Sequence, residues 1–86
     1  MHTVELLASA LDFARQLGYC VREEWLDGKG GGGCMLKGRK LLFLDLSMDP
    51  GEQLQQVLEA LRQDPETPRL PIPQPLHELL VPRKAA

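Results

Sequence analysis

The sequence predicts an α+β protein with the order helix, strand, strand, strand, helix, followed by a proline-rich tail. Three observations carry this. Residues 3–17 and 50–63 place apolar side chains at helical spacing. Between them, three shorter runs have strand character, separated by a glycine run and a Gly-Arg pair. Five of the seven prolines then fall between residues 65 and 75. The expected architecture is a three-stranded, mainly antiparallel sheet with both long helices on one face. Residues 1–64 form the core domain in this reading, and 65–86 the tail.

In the first helix, Val4, Leu7, Leu11 and Ala14 follow the helical period, and Leu6, Ala10, Phe13 and Leu17 widen the stripe. Thr3 suits the N-cap, and Gly18 suits the position just past the C-terminus. Residues 19–26 suit a strand. Tyr19, Val21 and Trp25 share one face, and Cys20, Arg22 and Glu24 the other.

The stretch Asp27-Gly28-Lys29-Gly30-Gly31-Gly32-Gly33-Cys34 has five glycines in its first seven residues. Such a run loses much chain entropy on folding, so a compact domain keeps it for a tight path or a close backbone approach. Behind it, Cys34–Lys37 and Lys40–Leu46 flank Gly38-Arg39, which reads as a type II′ hairpin. That register pairs Leu36 with Leu41 and Cys34 with Phe43. Leu41 to Leu44 is apolar on both pleat faces, so the strand is buried on both sides or meets a partner on one.

Asp49 as N-cap, Pro50 at the first helical position and Glu52 two residues later open the second helix. Leu54, Val57, Leu58 and Leu61 make its apolar stripe, with Gln53 among the residues assigned to water, and Asp64-Pro65 stops it. The tail is extended and partly polyproline, with a short helical segment near 76–81 and frayed residues at 83–86.

Composition bounds the function. The chain has 86 residues, a net charge of −2 and a pI near 5.6. A nucleic-acid binder needs a basic excess for its phosphate contacts, so nucleic acid is not the expected partner. No apolar run approaches the ~20 residues of a membrane span, and no signal peptide is legible, so a cytoplasmic protein is expected.

Few groups suggest chemistry. Lys29, Gly30, Gly31, Gly32 and Gly33 are a candidate anion-binding loop, since successive backbone amides can cradle a phosphate. A Walker or dinucleotide loop would open a helix, whereas this run leads into a strand. Cys20 and Cys34 are expected as small buried thiols; in a sequential hairpin centred near Gly30 they stand ~16 Å apart, beyond disulfide reach. The acids Glu23, Glu24, Asp27, Asp45 and Asp49 fit a solvated strand face, a turn or a cap. Asp45 interrupts an apolar strand, so it ends the strand or accepts from amides of the loop or of the following helix. No catalytic, metal or cofactor residue is assigned.

The element order over residues 3–63 resembles the minimal core of zincin-type metallopeptidases, whose helix after the edge strand carries His-Glu-x-x-His. The corresponding helix here, Gln53-Leu54-Gln55-Gln56-Val57-Leu58-Glu59-Ala60-Leu61, has no histidine. The resemblance therefore implies a non-catalytic enzyme relative, and no site residue transfers. Leu17-Gly18-Tyr19, Gly31-Gly32-Gly33-Cys34, Gly38-Arg39-Lys40 and Leu42-Phe43-Leu44-Asp45 together also resemble small bacterial proteins of uncharacterised function.

The leading expectation is association, as a homodimer or with a protein partner. Leu36, Leu41 and Phe43 on the sheet, with Ile72, Leu76, Leu79 and Leu80 in the tail, are the candidate interface. The tail is expected to cover the second sheet face, in its own chain or in a neighbour. The alternatives are an anion- or small-molecule-binding module using residues 28–33, and the enzyme relative.

Overall fold

The most apolar strand lies at the centre of the sheet. The computed structural model describes residues 2–28 and 30–81; Lys29 and the tail end expected to fray lie outside the described residues. The order is helix α1 (Thr3–Gln16), strands β1 (Cys20–Glu24), β2 (Gly32–Leu36) and β3 (Arg39–Asp45), helix α2 (Pro50–Gln63), a 3-10 turn (Thr67–Arg69) and helix α3 (Gln74–Leu80).

The fold is α+β with a three-stranded sheet, but the sheet is mixed. Its order is β1-β3-β2, with β1 parallel to β3 and β2 antiparallel to it. The sheet is thus not mainly antiparallel as expected, and β1 and β2 form no sequential hairpin. The physical reason is the composition of the strands. β3 is apolar on both faces and gains most from the centre, whereas charged β1 and glycine-rich β2 tolerate the edges.

The hairpin turn also differs from the expectation. Lys37 and Gly38, not Gly38 and Arg39, occupy the two loop positions, with φ of +52° and +77°. Positive φ at both positions is the type I′ pattern, whose twist matches that of the strands. The register slips by two residues, so Leu36 pairs with Arg39 and Cys34 with Leu41. An even slip keeps each side chain on its expected face.

The helix ends follow local chemistry. His2, not Thr3, takes the N-cap position of α1, and no side chain caps it. Gly18, at φ +99°, closes α1; its amide donates to Arg15 O and that of Tyr19 to Ala14 O, each at 3.0 Å. This crossed pair of bonds is the Schellman motif, which needs a residue comfortable in the left-handed region. At α2, Asp49 Oδ1 accepts from the amide of Glu52 at 2.8 Å, with Pro50 in the first turn.

One core joins these elements. Leu7, Ala10, Leu11, Phe13, Ala14 and Leu17 from α1 meet Leu42 and Leu44 from β3 and Leu54, Val57, Leu58 and Leu61 from α2. Val4, expected in the stripe, lies one turn too early and is exposed. Gln53, assigned to water by its polarity, is buried, and its Nε2 donates to Asp45 O at 2.8 Å. Trp25 lies beyond the end of β1 and is 72% exposed, so it joins no strand face.

The described part of the tail packs on the helices and does not cover the second face of the sheet. Leu76 and Leu80 are buried in the same core, and Leu70 and Ile72 pack against it. Thr67 Oγ1 donates to Leu61 O, and Arg62 Nε donates to Leu79 O at 3.0 Å. The proline-rich segment is broken by the 3-10 turn rather than wholly extended.

Candidate functional site

The glycine run has a structural task that revolves around Asp45. The chain leaves β1 on one side of β3 and enters β2 on the other, so the described residues 25–28 and 30–31 lie about the C-terminal end of β3. Asp45 is fully buried at that end. Its carboxylate accepts from the amides of Leu26 at 3.0 Å and Gly28 at 2.7 Å, and from Ser47 through its amide at 2.9 Å and its hydroxyl at 2.7 Å. Burial pushes this carboxyl up, but the bonds from Ser47, Leu26 and Gly28 outweigh it and hold the pKa down at about 2. Asp45 thus ends its strand and also binds amides of the loop.

The candidate anion loop is therefore divided. Lys29 lies outside the described residues. Gly30 is exposed, Gly31 lies against the Gln56 side chain, and Gly32 and Gly33 are already strand. The amides of Leu26 and Gly28 point to the chain's own carboxylate rather than to open space.

The cysteines are exposed, not buried. The crossover places both opposite Leu41, Cys20 on β1 and Cys34 on β2. They share one face of the sheet and flank Leu41, about 10 Å apart by strand spacing and not the ~16 Å of a sequential hairpin. That separation still exceeds disulfide reach within one chain.

The other acids are placed singly. Glu24 pairs with Arg22 at 3.3 Å, Asp49 caps α2, and Asp27 sits in the turn after β1 with φ +52°. Among the described residues no group of three or more His, Cys, Asp or Glu side chains is placed to hold a metal ion. No described helix is long and apolar enough to cross a membrane.

A cluster the sequence did not announce lies at the hairpin end. Lys40 Nζ donates to Asp64 Oδ2 at 2.8 Å and to Leu17 O at 3.1 Å, and stands 5.3 Å from the Tyr19 ring centroid. Burial raises the Tyr19 pKa, and its hydrogen bond to Asp64 and that carboxylate's charge carry it up to about 12. Burial pushes Asp64 up as well, but bonds from Lys40, the Glu66 amide and Tyr19 outweigh it and hold the carboxyl low. Asp64-Pro65 reads in sequence only as a helix stop, and nothing in that pair signals a partner 24 residues away.

This cluster borders a cleft of about 390 Å³, lined also by Gly33, Met35, Ala60 and Gln63. The cleft continues between β2 and α2 along Gly31, Gly32 and Gly33 on one side and Gln55, Gln56 and Glu59 on the other. The glycines allow this close approach. A Cβ at Gly31 would collide with the Gln56 side chain, and one at Gly33 would stand 3.0 Å from Ala60 Cβ.

The candidate interface residues divide by layer. Leu36, Leu41 and Phe43 lie on the sheet face that carries both cysteines, opposite the face of Leu42 and Leu44. Leu36 is exposed and the other two are half-buried. Leu76 and Leu80 are in the core, Ile72 is half-buried against it, and Leu79 is exposed beside α2. The tail residues and the sheet residues form no common surface. No family model, no curated protein and no solved structure matches the chain.

Proposed function

We propose that this protein works by associating with another protein chain through the uncovered side of its sheet. The observation that carries the reading is the one-sided layering. Both long helices and the tail pack with Leu42 and Leu44, while the face of Leu36, Leu41, Phe43, Cys20 and Cys34 has no described element over it. An apolar surface kept on a small domain is most economically explained as a binding surface. The ionisable groups support the same reading. The two best-satisfied carboxylates, Asp45 and Asp64, are tied up in holding the loop and the tail.

Light scattering on a size-exclusion column, over a wide concentration range, tests the reading. Mass above the 9.6 kDa of one chain is expected, and Leu36→Ser should lower it without altering the melting temperature of the dilute, dissociated protein. A monomer at every concentration removes self-association.

A further inference from the structure

The free edge of β2 is unusual for what it lacks. β1, the other edge, carries Arg22, Glu23 and Glu24, the kind of charged sequence that discourages edge pairing. β2 reads Gly32-Gly33-Cys34-Met35-Leu36, with no charge, and leaves Met35 66% and Leu36 56% exposed. In a two-residue hairpin the closing pair, Leu36 with Arg39, exchanges both backbone hydrogen bonds, and alternate pairs follow. Gly33 and Met35 therefore turn their N–H and C=O groups outward, to the open edge.

We propose that β2 pairs antiparallel with β2 of a second copy, about a two-fold axis at Cys34. This rests on the association reading above, names a second copy as the partner, and adds the β2 edge to the open face as a contact surface. In that register Gly33 meets the second copy's Met35, and the two exchange both backbone bonds; the axis repeats the pair. Each large exposed side chain then faces a bare glycine, Met35 against Gly33 and Leu36 against Gly32. Met35 enters the cleft beside Ala60 on the helix side. A register centred on Met35 sets Cys34 against Leu36, and one centred on Gly33 reaches its facing glycines, Gly31 and Gly30, only outside the strand.

Charge fits the same register. Lys37, at the hairpin tip, comes opposite the second copy's Gly31. There the cleft wall carries Glu59 and Gln56, whose buried Oε1 has no donor among the described residues. A lysine brings both a cation and a donor to that end. The result is a continuous six-stranded sheet with both open faces on the same side. A five-residue pairing lies below the ~800 Å² per partner of standard complexes, so the dimer should dissociate on dilution.

The two cysteines supply a matched test. Both are exposed and both lie on the same face, so random collision oxidises them alike. Across the proposed axis, the two Cys34 residues form a non-hydrogen-bonded pair with Cα atoms about 4.5 Å apart, within disulfide reach. With oxidised glutathione as the electron acceptor, Cys20→Ser, which keeps Cys34, should form covalent dimer at least about tenfold faster than Cys34→Ser. Met35→Lys, at an exposed position, should give a monomer by light scattering, with a melting temperature equal to that of the wild type diluted to its monomer. A wild-type dimer that links equally through either cysteine, or that survives Met35→Lys, overturns the edge pairing and leaves the association reading standing. A wild type that stays monomeric at every concentration overturns the pairing and self-association together.

Discussion

Lys40 Nζ stands 2.8 Å from Asp64 Oδ2 and thereby joins the central strand to the residue that ends α2. The carboxylate side chain is 3% exposed and the lysine 21%, so the carboxylate is shielded from water and the lysine only partly. Removing the lysine leaves the buried carboxylate with the Glu66 amide and Tyr19 but without its cation. Lys40→Met should cost about 3 kcal/mol in urea melts. Arg15→Met, which removes an exposed pair with Asp12 at 3.4 Å, should cost less than about 0.5 kcal/mol. Similar costs for the two would mean that the Lys40 pair is solvated.

Tyr19 is the only tyrosine, so absorbance at 295 nm follows it alone. Its ionisation should centre near 12, against 10 for a free phenol, and Asp64→Asn should bring it down. The folded pKa is raised, so the associated stability is complete below pH 10 and is lost as pH rises toward 12. Tyr19→Phe should remove that alkaline loss. A midpoint near 10 in the folded protein would contradict the burial of the hydroxyl beside Asp64.

Asp45 sets the acid limit. Its folded pKa of about 2 lies below the ordinary 3.8, so its contribution is complete above pH 4 and is lost as pH falls toward 2. Asp45→Asn should destabilise the protein at neutral pH, since an amide nitrogen cannot accept from Gly28 or Leu26. It should also flatten the acid limb of the stability profile. Melts from pH 2 to 7 read both effects, and an unchanged acid limb in the variant would assign acid unfolding to other carboxylates.

The glycine run should respond position by position. Gly32 has φ +113°, where a side chain is strained, and a Cβ at Gly31 would have to displace the end of the Gln56 side chain. The double change to Ala at these positions should cost more than about 1 kcal/mol. Gly30 has open space around it, so Gly30→Ala should be neutral or stabilising by a few tenths of a kcal/mol. Equal behaviour at all three sites in thermal melts would make the run a plain connector.

The second helix separates cap from core. Asp49→Ala removes one exposed cap bond and should cost ~1 kcal/mol. Leu58 has no exposed surface, and Leu58→Ala should cost roughly 2–5 kcal/mol. Chemical denaturation measures both, and near-equal losses would misplace the buried face of α2.

Local signals are legible where the interacting residues are neighbours in sequence. Gly18 past α1, Asp49-Pro50 before α2 and the stripe Leu54, Val57, Leu58, Leu61 follow from side chains within one or two helical turns. Strand faces also follow, because the period of two survives an even slip of register. Leu36, Leu41 and Phe43 could thus be grouped before any pairing was known.

What depended on tertiary structure is whatever joins distant residues. Strand order was decided by competition for the centre of the sheet, which β3 wins because both its faces are apolar. That order sends the glycine run over the end of β3, makes Asp45 its anchor, and brings Cys20 and Cys34 to either side of Leu41. The burial of Gln53 and Asp64, and the docking of the tail on helices instead of the sheet, have the same origin. A polar residue can be buried once its partner arrives, and Asp45 O, Lys40 and Tyr19 arrive only through the fold.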